Sequence, residues 1–241
     1  MKRAILGMLT PSSNTVLEPV TTAMLAGLPE VTAHFGRFRV TEIALNDRAL
    51  GQFQTAPMLE AAELLADAKP DAICWNGTSE GWLGFQTDEV LAAEIESKTS
   101  VRACSSVLAI NEILKLTGAT AFGLVTPYTD DIQNAIIGTY AGAGFDCVAD
   151  QHLGISVNFD FSEVSEVQLA EMCREAAKAK PDAILIFCTN LRGAPIVEEL
   201  EREIGIPIYD TVSTAVWAAL RVAGVEPERV QGWGRLFREV R

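Results

Sequence analysis

One short stretch of this chain occurs twice, and that repetition restricts the fold more than any other feature. Ala68 to Asn76 reads AKPDAICWN, and Ala179 to Phe187 reads AKPDAILIF. Aligning the two AKPDAI segments sets Gly77 opposite Cys188, Thr78 opposite Thr189 and Ser79 opposite Asn190. A second pair keeps the order: GMLTP (Gly7 to Pro11) against GLVTP (Gly123 to Pro127), which puts Ser12 opposite Tyr128 and Asn14 opposite Asp130. A third and looser pair is SSVLAINEILKLTG (Ser105 to Gly118) against TVSTAVWAALRVAG (Thr211 to Gly224). Chance similarity of apolar strands could give one such match. Several in order indicate two copies of one α/β unit, related by a pseudo-twofold axis. Corresponding loops would then meet at one central cleft.

The local pattern agrees. Ala183 to Phe187 is a short apolar run bounded by polar residues, which fits a strand buried on both faces. It stops at Cys188, a loop follows, and Ala194 to Ile204 reads as a helix with Pro195 in its first turn. Cys188 therefore stands at a strand end with a helix about to begin. In open α/β sheets ligands bind there, and the coming helix offers unpaired N–H groups to an anion. In the first copy, Ala4 to Leu9 reads as a buried strand and Asn14 as the cap of the helix after it. Thr32 to Val40 reads as a strand nearer an edge, and Thr41 to Gln54 as irregular. Strands alternate with helices throughout, so the expected class is α/β. The expected architecture is two pseudo-symmetric flavodoxin-like domains, each a mainly parallel sheet flanked by helices, with the site in the cleft between them. The expected boundaries are 1–117 and 118–209, with 210–241 packing back onto the first domain and Cys188 in the second.

Charge and cysteine usage narrow the function classes. The formal net charge of −13 argues against nucleic acid or an anionic membrane as partner. A small anionic substrate stays admissible, because a cleft can be lined with local donors. No apolar run approaches the roughly twenty residues that span a bilayer. The start, MKRAILGMLTPSSNT, reads as a first strand rather than a signal peptide. Five cysteines without paired spacing point to reduced thiols and a cytoplasmic setting. With only two histidines, His34 and His152, and no Cys-x-x-Cys or His-x-x-x-His, a zinc site is not expected. There is no G-x-G-x-x-G and no Walker A, so no nucleotide is expected. Neither histidine follows a predicted strand end, so no Ser-His-Asp arrangement is expected.

Cys188 is the first candidate for chemistry. A cysteine at a strand end is often a small apolar packing residue; its neighbours Thr189 and Asn190 favour a working thiol. Cys74, Cys147 and Cys173 read as packing, and Cys104 ends a short strand. Ser12, Asn14, Thr78, Ser79, Tyr128, Thr189 and Asn190 all lie on loops after strands. Each alone is an ordinary turn or cap residue. Together they line one cleft with neutral donors, which suit a carboxylate and the enediolate formed from it.

These residues carry a resemblance. PSSNT (Pro11 to Thr15), GTS (Gly77 to Ser79), TPYTDD (Thr126 to Asp131), LGI (Leu153 to Ile155), CTN (Cys188 to Asn190) and GWGRLF (Gly232 to Phe237) resemble the aspartate/glutamate racemase superfamily over nearly the whole chain. The closest branch holds arylmalonate decarboxylase and maleate cis-trans isomerase. The resemblance implies a cofactor-free enzyme, a site between two domains, a small carboxylate or dicarboxylate substrate, and a homodimer or higher homo-oligomer. Racemases of the superfamily use two facing cysteines; here the first position is Gly77. Arylmalonate decarboxylase shows the same departure. There the counterparts of Thr78, Ser79, Tyr128 and the Thr189 backbone hold one carboxylate, the other leaves as CO2, and the cysteine protonates the enediolate. PSSNT, with Asn14, and Asn158 in the GISVNFD loop resemble carboxylate-holding asparagines of maleate isomerase, where a thiolate adds to the double bond.

The first expectation is thus an enediolate-forming enzyme, most like arylmalonate decarboxylase, with Cys188 as proton donor. The alternatives are cis-trans isomerisation with Cys188 as nucleophile, racemisation of an amino-acid or hydantoin type, and a non-enzymatic carboxylate binder. Gly77→Cys is expected to install a second thiol across the cleft. Trp75, Trp82, Phe85 and Phe159 either shape the pocket or belong to core or interface. Sequence leaves open whether Cys188 is a thiol, as an apolar wall favours, or a thiolate, as a helix N-terminus favours.

Overall fold

The computed structural model of the protein describes residues 3–45, 49 and 51–241. Two parallel four-stranded sheets form its frame. In chain order the first half contains β1 (Ala4–Pro11), α1 (Leu17–Leu25), β2 (Val31–Phe38), α2 (Thr55–Ala66), β3 (Ala72–Trp75), α3 (Glu80–Leu83), α4 (Phe85–Thr99), β4 (Ala103–Ser105) and α5 (Ser106–Thr117). The second contains β5 (Ala121–Thr126), α6 (Asp130–Gly142), β6 (Asp146–His152), α7 (Glu166–Ala177), β7 (Ala183–Ile186), α8 (Ala194–Ile204), β8 (Ile208–Asp210), α9 (Thr211–Val222) and α10 (Arg235–Glu239). The strand orders are β2-β1-β3-β4 and β6-β5-β7-β8, the same order by position in each half. Every ladder is parallel.

The sequence repeat survives as register. Gly7 pairs with Ile73 in the first sheet, and Gly123 with Ile184 in the second, which are the residues that the two motif alignments equate. The loosest alignment is out by one residue. Trp75 pairs with Ser105 and Ile186 with Asp210, so Ser105 corresponds to Asp210 and not to Thr211. A helix of small apolar residues offers little to fix a one-residue offset by eye; the strand before it does.

Both sheets are covered on both faces, so their central strands are continuously apolar. Leu6, Met8 and Leu9 in β1, and every residue of β7, have no accessible surface. The expected edge character of β2 is observed. Capping follows the sequence signals. Ser105 Oγ accepts from Leu108 N at 3.0 Å, and Asp210 Oδ1 from Val212 N at 2.9 Å. Gly118 and Gly205 end α5 and α8 in the left-handed conformation, where glycine carries no Cβ penalty.

Helix α9 ties the halves together. Thr211 through Leu220 are all buried. The helix follows β8 of the second sheet but packs against α5, α1, β3 and β4 of the first half. No helix of the described residues is long and apolar enough to cross a membrane.

Candidate active site

The loops after β3, β5 and β7 converge where the halves face each other. Cys188 stands two residues past β7, as Gly77 stands two residues past β3. Tyr128, two residues past β5, reaches across: its hydroxyl is 2.7 Å from Thr78 Oγ1 and lies near enough to the Cys188 sulfur for each to affect the other's titration. Between these groups lies a narrow cavity of about 20 Å³, room for little more than one water. Its polar lining is Gly77, Thr78, Ser79, Tyr128, Asn158, Cys188 and Thr189; its apolar lining is Pro11, Val40, Ile43, Phe53, Trp75 and Trp82. Among the described residues, no lysine, arginine or histidine lines it. A larger depression of about 680 Å³ lies near Gly118, Pro207 and Arg235, at the opposite ends of the second sheet's strands, away from these loops.

Burial decides the state of Cys188, which is 3% exposed. Desolvation pushes its thiol up to about 12, and the Asp210 charge acts the same way. The Tyr128 hydroxyl and the backbone N–H groups of Asn190 and Leu191 oppose this without overcoming it. Cys188 is therefore a thiol at neutral pH. Its position at the strand end, which by itself favours ionisation, is outweighed by the loss of water. Tyr128 is held well above the usual phenol range, by burial first and by Cys188 second.

Gly77 has a local cause. A Cβ built there would lie 1.8 Å from Cζ2 of Trp75. The indole fills the space where a side chain at this position would sit, so a second thiol facing Cys188 has no room.

A sequence model of the arylmalonate decarboxylase family matches residues 14–237 of this chain. The chain belongs to the arylmalonate decarboxylase family. This places it among enzymes. A maleate isomerase of Nocardia farcinica is 28% identical over 97% of this chain and 95% of its own length. The arylmalonate decarboxylase of Bordetella bronchiseptica is 27% identical over 65% of this chain and 66% of its own. In three dimensions, the N. farcinica maleate cis-trans isomerase in a cysteine-to-serine form with a covalently bound succinylcysteine superposes with a TM-score of 0.90 at 23% identity. That match covers 99% of each chain and shows the shared fold.

Within this family member, the expected site residues separate into two groups. Gly77, Thr78, Ser79, Tyr128, Asn158, Cys188 and Thr189 line the cavity. Ser12, Asn14 and Asn190 stand behind it. Ser12 is exposed and does not line the cavity; its Oγ accepts from Val40 N at 3.1 Å and holds that segment in place. Asn14 is fully engaged: Oδ1 accepts from Val16 N and Leu17 N, and Nδ2 donates to Thr189 Oγ1 at 3.1 Å. Asn190 Oδ1 accepts from Thr15 N at 3.0 Å, and its Nδ2 donates to the Asn158 carbonyl at 2.6 Å. These two asparagines brace one half against the other.

The aromatic residues divide as well. Trp75 and Trp82 line the cavity, Phe85 meets Tyr140 edge to face with centroids 4.9 Å apart, and Phe159 is 49% exposed. His152 is the last residue of β6. It is held between Asp130 and Asp150 and contributes nothing to the cavity lining. Val40, Ile43 and Phe53 were not legible as site residues, since they lie in or beside the aperiodic stretch 41–54. That stretch reaches the second half through Ile43 N, which donates to the Ser156 carbonyl at 2.8 Å, and Thr41, whose carbonyl accepts from Asn158 N at 3.1 Å.

Proposed function

We propose that this enzyme releases CO2 from a small malonate-type acid and that Cys188 protonates the resulting enediolate. The observation that carries this reading is a solitary cavity thiol, protonated at neutral pH, facing a glycine whose side-chain space an indole occupies. Among the described residues, such a site has an acid to give and no second thiol with which to take a proton back.

The chemistry follows from the lining. The hydroxyls of Thr78 and Tyr128 and the amide of Asn158 hold the carboxylate that stays, and the same neutral donors stabilise the enediolate as charge moves onto its oxygens. The side chains of Val40, Ile43 and Phe53 offer the other carboxylate no donor. Loss of its hydration favours breakdown to uncharged CO2. The bond between the α-carbon and that carboxylate breaks, and its electron pair passes into the enediolate. The Cys188 proton then moves to the α-carbon. The remaining thiolate accepts hydrogen bonds from Tyr128 and from the Asn190 and Leu191 N–H groups until solvent returns a proton. The small cavity favours small substituents; a bulky aryl group would have to displace Phe53 and Trp82.

The test is Cys188→Ala assayed for CO2 release from methylmalonate and phenylmalonate. A general acid contributes roughly 100- to 10,000-fold, so turnover is expected to fall by that factor with the fold unchanged by circular dichroism. Full turnover in the variant would remove Cys188 from the mechanism.

A second reading is cis-trans isomerisation of a maleate-like acid. It is favoured by Asn158, which lines the cavity beside Cys188, and by the maleate isomerases that outnumber decarboxylases among the curated relatives. Fumarate appearing by NMR on mixing the protein with maleate, without CO2, would replace the first reading with this one.

A further inference from the structure

Behind Ser79 lies a second polar assembly that the proposed chemistry leaves unused. Glu80 and Asp88 are 4% and 1% exposed. Ser79 Oγ donates to Glu80 Oε1 at 2.6 Å, and Ser105 Oγ donates to Asp88 Oδ2. The two buried carboxyl groups lie close enough to act on each other electrostatically. Glu80 Oε2, Asp88 Oδ1 and Trp75 Nε1 make no well-formed hydrogen bond, although the indole lies next to Glu80.

Among the described residues, no cation acts on the pair. The groups that act on the pair are Ser79, Trp75, Ser105 and Cys104. Asp88 also bears on Cys74 from β3 and on Tyr140 from α6, and Glu80 bears on Tyr128. Burial raises the proton affinity of both carboxyls, and the Glu80 charge raises it further for Asp88. Two neighbouring carboxyls buried this deeply resist ionising together, so the pair keeps at least one proton. With one proton it is a buried monoanion. Ser79 then spends its proton on Glu80 and turns lone pairs toward the cavity, the wrong polarity for an arriving carboxylate.

We propose that Glu80 and Asp88 form a proton-accepting pair that takes one proton from solvent when a carboxylate binds in the cavity, reversing the Glu80–Ser79 hydrogen bond so that Ser79 donates to the ligand. This rests on the reading of the cavity as a carboxylate site. The added proton resides on Glu80 and is donated to Ser79 Oγ; the serine hydroxyl rotates, and no other bond changes. Glu80 and Asp88 are positioning residues here, acting through Ser79.

Isothermal titration of the wild-type protein with phenylacetate, which has no second carboxylate to lose, and with succinate tests this. The titration is run above neutral pH in phosphate and in Tris, buffers with different ionisation enthalpies. The expected result is uptake of about one proton per ligand bound, with Kd rising about tenfold per pH unit by linkage. Glu80→Gln, which can donate an amide proton to Ser79 without titrating, is expected to bind with no proton uptake and a flat pH profile. Asp210→Asn, which leaves the pair intact, is expected to keep the uptake. Wild-type binding with the same heat in both buffers, or uptake persisting in Glu80→Gln, overturns the inference alone. Failure of both acids to bind overturns it together with the reading of the cavity beneath it.

Discussion

Gly77 and Cys188 hold the same place in the two halves, and their difference decides what chemistry the cleft can perform. The indole of Trp75 explains the difference physically. It is 1% exposed, lines the cavity and leaves no volume for a Cβ at Gly77. The replacement Gly77→Cys, which the repeat suggests as a route to a second thiol, therefore collides with a packed ring. Even Gly77→Ala is expected to displace Trp75, lowering stability by about 1–3 kcal/mol, the usual range for overpacking a core. Thermal unfolding checks this, and an alanine variant as stable as the parent would mean that the indole is not fixed where it stands. Cys188 shows the opposite dependence on context: its thiol character comes from buried surroundings contributed by both halves.

The element scale explains a second buried acid. Each half ends its fourth strand with a helix cap, Ser105 before α5 and Asp210 before α9. In the first half a carboxylate arrives from α4, as Asp88 on Ser105; in the second, the cap is itself the carboxylate. Burial raises Asp210 to about 7, against the hydrogen bonds of the Val212, Ser213 and Ala194 N–H groups. The sign follows directly. An unfolded aspartate titrates near ~4, so the folded state binds this proton more tightly. The stability that this proton confers is fully present below about pH 4 and is lost as pH rises toward about 7. Asp210→Asn keeps an acceptor for the α9 N–H groups and removes the titration. Unfolding free energies from urea titration are expected to fall less between mildly acidic and mildly alkaline pH in the variant than in the parent, by at most about 4 kcal/mol. Equal pH slopes in the two proteins would show that Asp210 does not titrate in this range.

At the scale of the whole molecule the two halves are interlocked rather than merely adjacent. Helix α9 leaves the second sheet and buries itself against the first. Asn14 and Asn190 cross the cleft, and residues 41–43 bond to residues 156–158. Neither half keeps a complete core without the other. Calorimetry is accordingly expected to show one unfolding transition whose calorimetric and van't Hoff enthalpies agree. Two resolved transitions would show that each half folds independently. The same interlock builds the cavity, because its lining draws on Thr78 and Trp82 from one half and Tyr128, Asn158 and Cys188 from the other.

Strand and helix order, the duplication, and the loops that bear Gly77, Thr78, Ser79, Tyr128 and Cys188 were written in the sequence. Apolar runs, caps and a repeated hexapeptide are local signals, and a parallel sheet puts the ends of its central strands together whatever their distance along the chain. Three things were settled only by packing in space. Ser12, Asn14 and Asn190 brace the site from behind instead of lining it, because their polar atoms find backbone and side-chain partners first. Val40, Ile43 and Phe53 close the cavity from a stretch with no periodicity to announce it. The protonation of Cys188 depends on how much water two halves exclude when they meet, a quantity belonging to the assembled fold and to no segment of it.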